Sequence, residues 1–331
     1  MPLLVHYLQG MLFLPAIAIC NNLTGIGITV MLKTIVILII SFFSVNSFAT
    51  VNDNNSAFEE IDHQTTFRQY KILAEQGDAL AQYNLGAFYR DGQGTAQDYE
   101  TAVTWFRRAA EQGDSDAQYN LALMYDAGRG TVQDYKSAIR WYTKAAKQGD
   151  SDAQYSLALM YDEGQGTARN YKAAIRWYTK AAEQGFAKAH YNLALMYDEG
   201  QGTNQDYKAA IRWYTKAAEQ GFAKAHYNLA LMYDKGHGTA QDYHAAIRWY
   251  IKAAEQGFAK AQLNLGVMYF KGKGTVQNFV EAHMWFNIAA ANGHANAQKN
   301  RDTIQKRMTS ADISKAQNLA KQCVIKDFKD C

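Results

Sequence analysis

The six tryptophans of the chain fall at a fixed interval of 36 residues, and this interval constrains the fold more than any other feature. A fixed period of this length indicates that one supersecondary unit is repeated along the chain. Stacked repeats bury their apolar faces against one another and present an extended surface rather than a single pocket. The expected site of function is therefore a surface that spans several repeats. The tryptophans are Trp105, Trp141, Trp177, Trp213, Trp249 and Trp285.

Residues 186–221 illustrate how one unit encodes two helices. Leu193 and Tyr197 are four residues apart, so they share a helical face, and a glycine pair then breaks the helix. Asp206 is placed to cap a second helix, whose apolar residues recur at intervals of three and four until Gly221 ends it. Each unit therefore predicts an antiparallel pair of helices of about 13 residues, which are short enough to depend on stacking for stability.

The array contains six full units between residues 78 and 293. A degenerate half unit at 67–77 precedes it, and residues 294–331 depart from the pattern. In that last segment Thr309 and Asp312 resemble the start of a capped helix, so we expect it to cover the core of the last unit. Units 1 to 6 are 78–113, 114–149, 150–185, 186–221, 222–257 and 258–293.

The first 49 residues differ in composition from the array, with no acid and one base, Lys33. A basic start at Met31, an apolar run and the small residues around Ala49 predict a secretory signal peptide at 31–49. Residues 1–30 are then an upstream extension, with translation starting at Met31. The alternative is a membrane anchor, but the run is shorter than the span of about 20 residues that a bilayer requires.

Signal cleavage leaves a polar segment, residues 50–66, which is predicted to be a flexible N-terminal tail. The exported chain would keep two cysteines, Cys323 and Cys331. Export permits a disulfide between them. Eight residues of helix span about 12 Å, which exceeds the reach of a disulfide, so the end of the helix would have to unwind. The sequence alone does not decide whether this disulfide forms.

Composition and motifs argue against several classes of function. The net charge is only +3, and interleaved acids and bases form no basic stripe for nucleic acid. His190 and His226 replace a glutamine of the other units and are interpreted as polar surface rather than metal ligands. Units 4 and 5 differ at five positions, which leaves little room for a unique catalytic constellation. We predict a protein without cofactor, metal or enzymatic activity.

The repeated pattern A-x-Y-N-L-A-L-M-Y-D-x-G-x-G-T-x-x-D-Y-x-x-A-x-x-W-Y-x-K-A-A-E-Q-G resembles the Sel1-like repeat, a relative of the tetratricopeptide repeat. The resemblance covers residues 67–325. It implies an all-α, right-handed α/α superhelical solenoid of helix–turn–helix repeats. It also implies a scaffold or adaptor for protein–protein interaction. Many bacterial members of the family are exported, which fits a periplasmic or secreted protein that meets a membrane only through its signal peptide.

The resemblance also implies a binding face, because in the related units the first helix lines a concave groove. The hypothesis is a tyrosine-lined groove for an extended peptide, with a row whose charge changes sign along the array from Asp116 and Asp152 to three lysines. The alternative is that each tyrosine only packs against a neighbouring repeat. The predicted partner-binding residues are Tyr83, Tyr119, Tyr155, Tyr191, Tyr227, Asp126, Asp162, Asp198, Asp234, Lys188, Lys224 and Lys260.

Two other functions remain as alternatives. Cysteine-rich relatives in the same repeat family are linked to penicillin binding and weak β-lactamase-like hydrolysis, but they carry a cysteine pair in each unit and this array carries none. The tyrosines and tryptophans also suit stacking on cell-wall glycan, which makes peptidoglycan an alternative partner. The preferred interpretation is an exported, non-catalytic adaptor whose partner is a protein or peptide.

Overall fold

The computed structural model describes residues 55–329 and residue 331, with side chains from residue 63 onward. Within the described part, the residues from Ile61 to the C-terminus belong to one compact unit. The predicted upstream extension and signal peptide lie outside the described residues. Throughout the described part, all regular secondary structure is helical and no strand occurs.

Fifteen helices follow one another along the described chain. They are α1 (Asn55–Glu75), α2 (Ala79–Asp91), α3 (Tyr99–Glu111), α4 (Ser115–Ala127), α5 (Tyr135–Lys147), α6 (Ser151–Glu163), α7 (Tyr171–Glu183), α8 (Ala187–Glu199), α9 (Tyr207–Glu219), α10 (Ala223–Lys235), α11 (Tyr243–Ala254), α12 (Ala259–Lys271), α13 (Phe279–Ala291), α14 (Ala295–Gln305) and α15 (Ser310–Ile325). From α2 to α13 they alternate as first and second helices of the six units, and each packs against the next.

Local signals fix the helix ends, as the unit at 186–221 shows. The first helix, α8, ends at Gly200, whose φ of 69° is left-handed and suits glycine. The second helix, α9, begins after Asp206, whose carboxylate accepts a hydrogen bond from the Ala209 amide at 2.9 Å. The predicted cap at Asp206 and the predicted helix break are therefore confirmed.

The core of the array combines small and large residues at fixed positions. Paired alanines such as Ala217 and Ala218 are buried and let neighbouring helices approach closely. One aromatic ring of each second helix fills the space between them and is almost completely buried. Together with the six helix pairs, this repeating core confirms the all-α solenoid. The buried aromatic residues are Phe106, Tyr142, Tyr178, Tyr214, Tyr250 and Phe286.

The N-terminal boundary differs from the prediction. Residues 55–66 are helical rather than a flexible tail, because α1 starts at Asn55. His63 occupies the place that Tyr99 takes in the next unit: Gly94 lies against the His63 carbonyl as Gly130 lies against the Tyr99 carbonyl. The half unit therefore begins near His63 instead of residue 67. No glycine or proline interrupts this stretch, and extending an existing helix adds one hydrogen bond per residue.

The C-terminal segment packs on the last unit through α14 and α15, both of which contact α13. Thr309 caps α15, accepting a hydrogen bond from the Asp312 amide at 3.1 Å. Helix α15 ends at Ile325, and the chain then turns, which brings the Cα atoms of Cys323 and Cys331 within 5.3 Å and joins their sulfurs. Within the described part of the chain, no helix combines the length and apolar character needed to cross a membrane.

Candidate partner-binding face

The predicted tyrosine row lies on the first helices, and each of its rings is half-buried. Tyr191 packs on Tyr214 of its own unit with 5.9 Å between ring centroids. It also packs on Phe222 of the next unit at 5.0 Å. The equivalent contacts recur along the array at similar distances. Each tyrosine is therefore anchored on one side and open to solvent on the other.

The hydroxyl groups of these tyrosines also meet the following unit. Asn192 donates hydrogen bonds to Tyr178 at 3.0 Å and to Tyr155 at 3.4 Å. Burial raises the pKa of the Tyr155 phenol, so the hydroxyl stays neutral at physiological pH. The alternative for this row was that each tyrosine only packs against a neighbouring repeat. Such contacts are present, but part of each ring remains accessible to solvent.

The predicted aspartate row has a structural role. Tyr214 donates a hydrogen bond from its hydroxyl to Asp198 Oδ2 at 3.2 Å, and the same tyrosine accepts one from Asn228 at 3.0 Å. We call this set of three residues the Asp–Tyr–Asn cluster. Burial raises the pKa of the Asp198 carboxyl despite this hydrogen bond. The cluster satisfies a buried hydroxyl, which would otherwise be costly.

The same positions in the first unit carry different residues with an equivalent result. Arg90 stands in the aspartate position and Phe106 in the tyrosine position. The Arg90 guanidinium lies 5.9 Å from the Phe106 ring and donates a hydrogen bond to Asn120 Oδ1 at 2.5 Å. Asp91 pairs with the same guanidinium at 2.7 Å. The position therefore remains filled although the aromatic hydroxyl is absent.

The row that changes sign is exposed, in contrast to the other two rows. Asp116 and Asp152 precede Lys188, Lys224 and Lys260 along the array, and each is the second residue of its first helix. We call these five residues the charge row. Because the charge row is accessible and lies on the same helices as the tyrosines, the two rows form the candidate partner-binding face. Partner binding by these residues stays a prediction.

A chain of buried polar side chains links successive repeats, and the sequence did not reveal it. Gln118 donates to the Ala110 carbonyl of the preceding unit at 3.0 Å and accepts from Gln148 at 2.8 Å. His190 and His226 take the same position in units 4 and 5 and are only 4 % exposed, so the expectation that they belong to the polar surface is wrong.

His190 keeps the role of the glutamine it replaces. It contacts Gln220 through Nδ1 at 3.4 Å and stacks on Trp213 with 5.6 Å between ring centroids. Burial lowers the pKa of its imidazole. A signal for this role was available, because the residue always lies 30 positions before the glutamine or asparagine that ends the second helix of its unit.

The tryptophans mark the packing between units, as predicted. Trp213 packs against the apolar cores on both sides of its own second helix. The Lys216 ammonium lies 4.6 Å from its ring centroid, so the outer face of the ring is covered by a cation. Among the described residues, no three His, Cys, Asp or Glu side chains come together as a metal site would require.

A stack of helix pairs with buried polar clusters between them defines the chain as a solenoid of helical repeats. The Sel1 repeat family model matches residues 79–114, 115–150, 151–186, 187–222, 223–258 and 259–294, and the chain belongs to this family. Proteins built from Sel1 repeats typically serve as scaffolds for protein interaction. Among proteins with curated annotation, none matches the chain.

Two solved structures support the assignment. A Sel1 repeat protein from Oxalobacter formigenes is 32% identical, with a TM-score of 0.56, covering 72% of this chain and 97% of its own. A protective antigen of uropathogenic Escherichia coli strains, which displays an SLR fold, is 31% identical with a TM-score of 0.53 and covers 79% of this chain. The match spans 65% of the length of that antigen.

Proposed function

We propose that the chain is a non-catalytic scaffold that binds an extended protein segment along its first helices. The observation that carries this proposal is that the exposed charge row lies on the same helices as the tyrosine row, whose rings are half-buried. Tyrosine rings that are already held by packing offer contact area at low entropic cost. Exposed charges select the orientation and identity of a partner more than they add affinity.

Helix stability does not account for the lysines of the charge row. A cation near a helix N-terminus opposes the helix dipole, at a cost of about 0.3–1 kcal/mol, whereas Asp116 in the same position is favourable. Lys188 is two residues after Phe186, the N-cap residue, which makes no side-chain cap hydrogen bond. Phe186 itself is explained by its packing on Tyr155, at 5.1 Å between ring centroids. A partner that faces Lys188 gives this lysine a purpose that local structure does not.

The signs of the charge row also predict the charge pattern of the partner segment. Charges that complement it are basic opposite Asp116 and Asp152 and acidic opposite Lys188, Lys224 and Lys260. The partner segment is therefore expected to carry basic residues at one end and acidic residues at the other. Its apolar or aromatic side chains would rest between the tyrosines.

Export is the second part of the proposal. The signal-like sequence at 31–49 supports secretion to the periplasm or beyond, and the Cys323–Cys331 disulfide supports an oxidising compartment. Fractionation of the native cell, with N-terminal sequencing of the exported form, tests it. A mature terminus near Thr50 is the expected result, and an uncleaved chain in the cytoplasm would overturn this part.

Charge reversal tests the binding proposal. Lys188, Lys224 and Lys260 are changed to Glu together, and affinity capture from native cells is compared with the unchanged protein. The matched control reverses Lys136, Lys172 and Lys208, which are also exposed but lie on second helices. We expect the first variant to lose its captured protein and the control to keep it. Equal capture by both variants, or co-purification of muropeptides in place of a protein, would contradict the proposal.

A further inference from the structure

The last unit differs from the others at the position of the Asp–Tyr–Asn cluster. In units 3, 4 and 5 this position holds an aspartate, a buried tyrosine and the asparagine of the next first helix. In unit 1, Arg90 fills it. In unit 6 the three positions hold Phe270, Phe286 and Asn300. Neither a carboxylate nor an aromatic hydroxyl is present there.

A cavity of about 240 Å³ takes the place of the cluster. Val267, Phe270, Phe286 and Ile304 give it apolar walls, and Lys271 and Asn300 contribute polar atoms. Lys271 is exposed, so the cavity opens at the surface. The described residues offer no hydrogen-bond partner to the Asn300 amide, whereas its equivalents Asn228 and Asn264 bond to the hydroxyl of a buried tyrosine.

Local packing explains why Phe286 does not close the cavity. The neighbouring first helix carries Gly266 where units 2 to 5 carry alanine, and a Cβ atom there would lie 2.5 Å from the Phe286 ring. The phenylalanine ring therefore lies directly against the backbone of α12 at Gly266. Phe270 is held on the other side by Phe279, at 5.8 Å between ring centroids, and Phe279 in turn lies 4.8 Å from the Arg307 guanidinium of the C-terminal segment.

We propose that this cavity binds one aromatic or branched aliphatic side chain of the partner segment, adjacent to a carboxylate. An apolar cavity of about 150 Å³ is large enough to hold benzene, so one ring and its methylene group fit here. Lys271 can only donate hydrogen bonds, and Asn300 has a free donor, so the adjoining group is an acceptor. Lys271 ends the helix that begins with Ala259 and Lys260, so the last lysine of the charge row and the cavity lie on the same helix.

This inference rests on the proposed function for the identity of the ligand, but its test needs no partner. N-acetyl-phenylalanine is titrated into the purified protein, with the Asn300 side-chain amide followed by NMR. N-acetyl-phenylalanine amide removes the carboxylate, and N-acetyl-alanine removes the ring. We expect saturable binding of the first, binding weaker by about three- to tenfold for the second, and none for the third.

Three variants test the site. The triple variant Gly266→Ala, Phe270→Asp, Phe286→Tyr installs the residues of units 3 to 5 and should abolish binding. Thr303→Trp changes an exposed residue of the cavity wall on α14, so it fills the space without altering the core. Lys271 is also exposed. The variant Lys271→Glu should weaken binding of N-acetyl-phenylalanine, which carries a carboxylate, but leave binding of N-acetyl-phenylalanine amide unchanged.

The outcomes separate this inference from the proposed function. Binding that survives Thr303→Trp, or that N-acetyl-alanine shows equally, overturns the cavity site. Capture of a partner with no binding of N-acetyl-phenylalanine also overturns the site while leaving the scaffold intact. Binding of N-acetyl-phenylalanine together with partner capture that is insensitive to charge reversal supports the cavity and contradicts the scaffold proposal.

Discussion

At the scale of single residues, the array is governed by the need to satisfy polar atoms that its own core buries. Tyr214 is fully buried, and its hydroxyl reaches Asp198 and Asn228. Gln118 and His190 hold the same position on the first helices of different units. Each links the second helix of its own unit to the second helix of the preceding unit. Asp198, which in the sequence looks like a surface charge, and His190, which looks like a surface polar residue, therefore both contact other side chains of the array.

Replacing Asp198 tests the role of the Asp–Tyr–Asn cluster. Asp198→Ala removes the acceptor of the Tyr214 hydroxyl, and we expect the free energy of unfolding to fall by about 1–3 kcal/mol. Asp198→Asn retains an acceptor oxygen and should lose less. Asp116→Ala, at an exposed position, should lose no more than the helix-dipole contribution of about 0.3–1 kcal/mol in the same urea titration. A loss at Asp198 no larger than that at Asp116 would contradict the structural role.

Buried histidines make stability depend on pH, and His190 and His226 are two of them. Their pKa values in the folded state are lowered from 6.5 by burial, so on acidification the unfolded chain takes up protons first. The free energy of unfolding should therefore fall as the pH drops below about 6.5. Lys216 and Lys252, near the two rings, act in the same direction.

The double variant His190→Gln, His226→Gln isolates this effect, because glutamine holds the same position in units 1, 2, 3 and 6. We expect the parent protein to lose stability relative to the variant between pH 7 and pH 5, measured by urea unfolding at each pH. Parallel pH profiles for the two proteins would show that the histidines do not titrate as this account requires.

At the scale of elements, glycine positions decide how closely repeats can stack. Gly202 has a φ of 70°, and a Cβ atom there would lie 2.5 Å from Tyr171 Cβ of the preceding second helix. Gly221 has a similar φ of 79° but open space around it. Both glycines suit a left-handed backbone, and only the first is also required by the contact between repeats.

This difference predicts unequal effects of the same substitution. Gly221→Ala should cost about 1–2 kcal/mol, the ordinary penalty of a left-handed residue with a side chain. Gly202→Ala should cost clearly more, because the backbone of two units must also separate. Thermal unfolding followed by circular dichroism compares the two variants. Equal shifts in melting temperature would mean that two units can separate at the contact between Gly202 and Tyr171 without loss of stability.

Much of the element structure could be predicted because its signals are local. Asp206 and Gly200 define helix ends within a few residues of themselves, and the interval between tryptophans gives the repeat length. The contacts that the sequence hid connect residues on different helices: Tyr214 and Asp198 are 16 positions apart, and His190 and Gln220 are 30 apart. The cavity arises from the loss of such a contact, which no local pattern records.

At the scale of the whole molecule, repetition gives a uniform core and a surface that varies from unit to unit. The buried aromatic position changes only between tyrosine and phenylalanine, while the exposed charge row reverses its sign between units 3 and 4. A change of sign along an accessible row is what a scaffold needs to recognise one partner in one orientation. The central claim is therefore that the partner lies across the first helices.

Site-specific photocrosslinking in the native cell tests this claim most directly. A photoreactive residue is placed at Lys224, on a first helix, and in a separate strain at Lys208, which is also exposed but lies on a second helix. Crosslinked products are identified by mass spectrometry. The account predicts a single dominant protein partner crosslinked from position 224 and little or none from position 208. Equal crosslinking from both positions, or crosslinking from 208 alone, would contradict it.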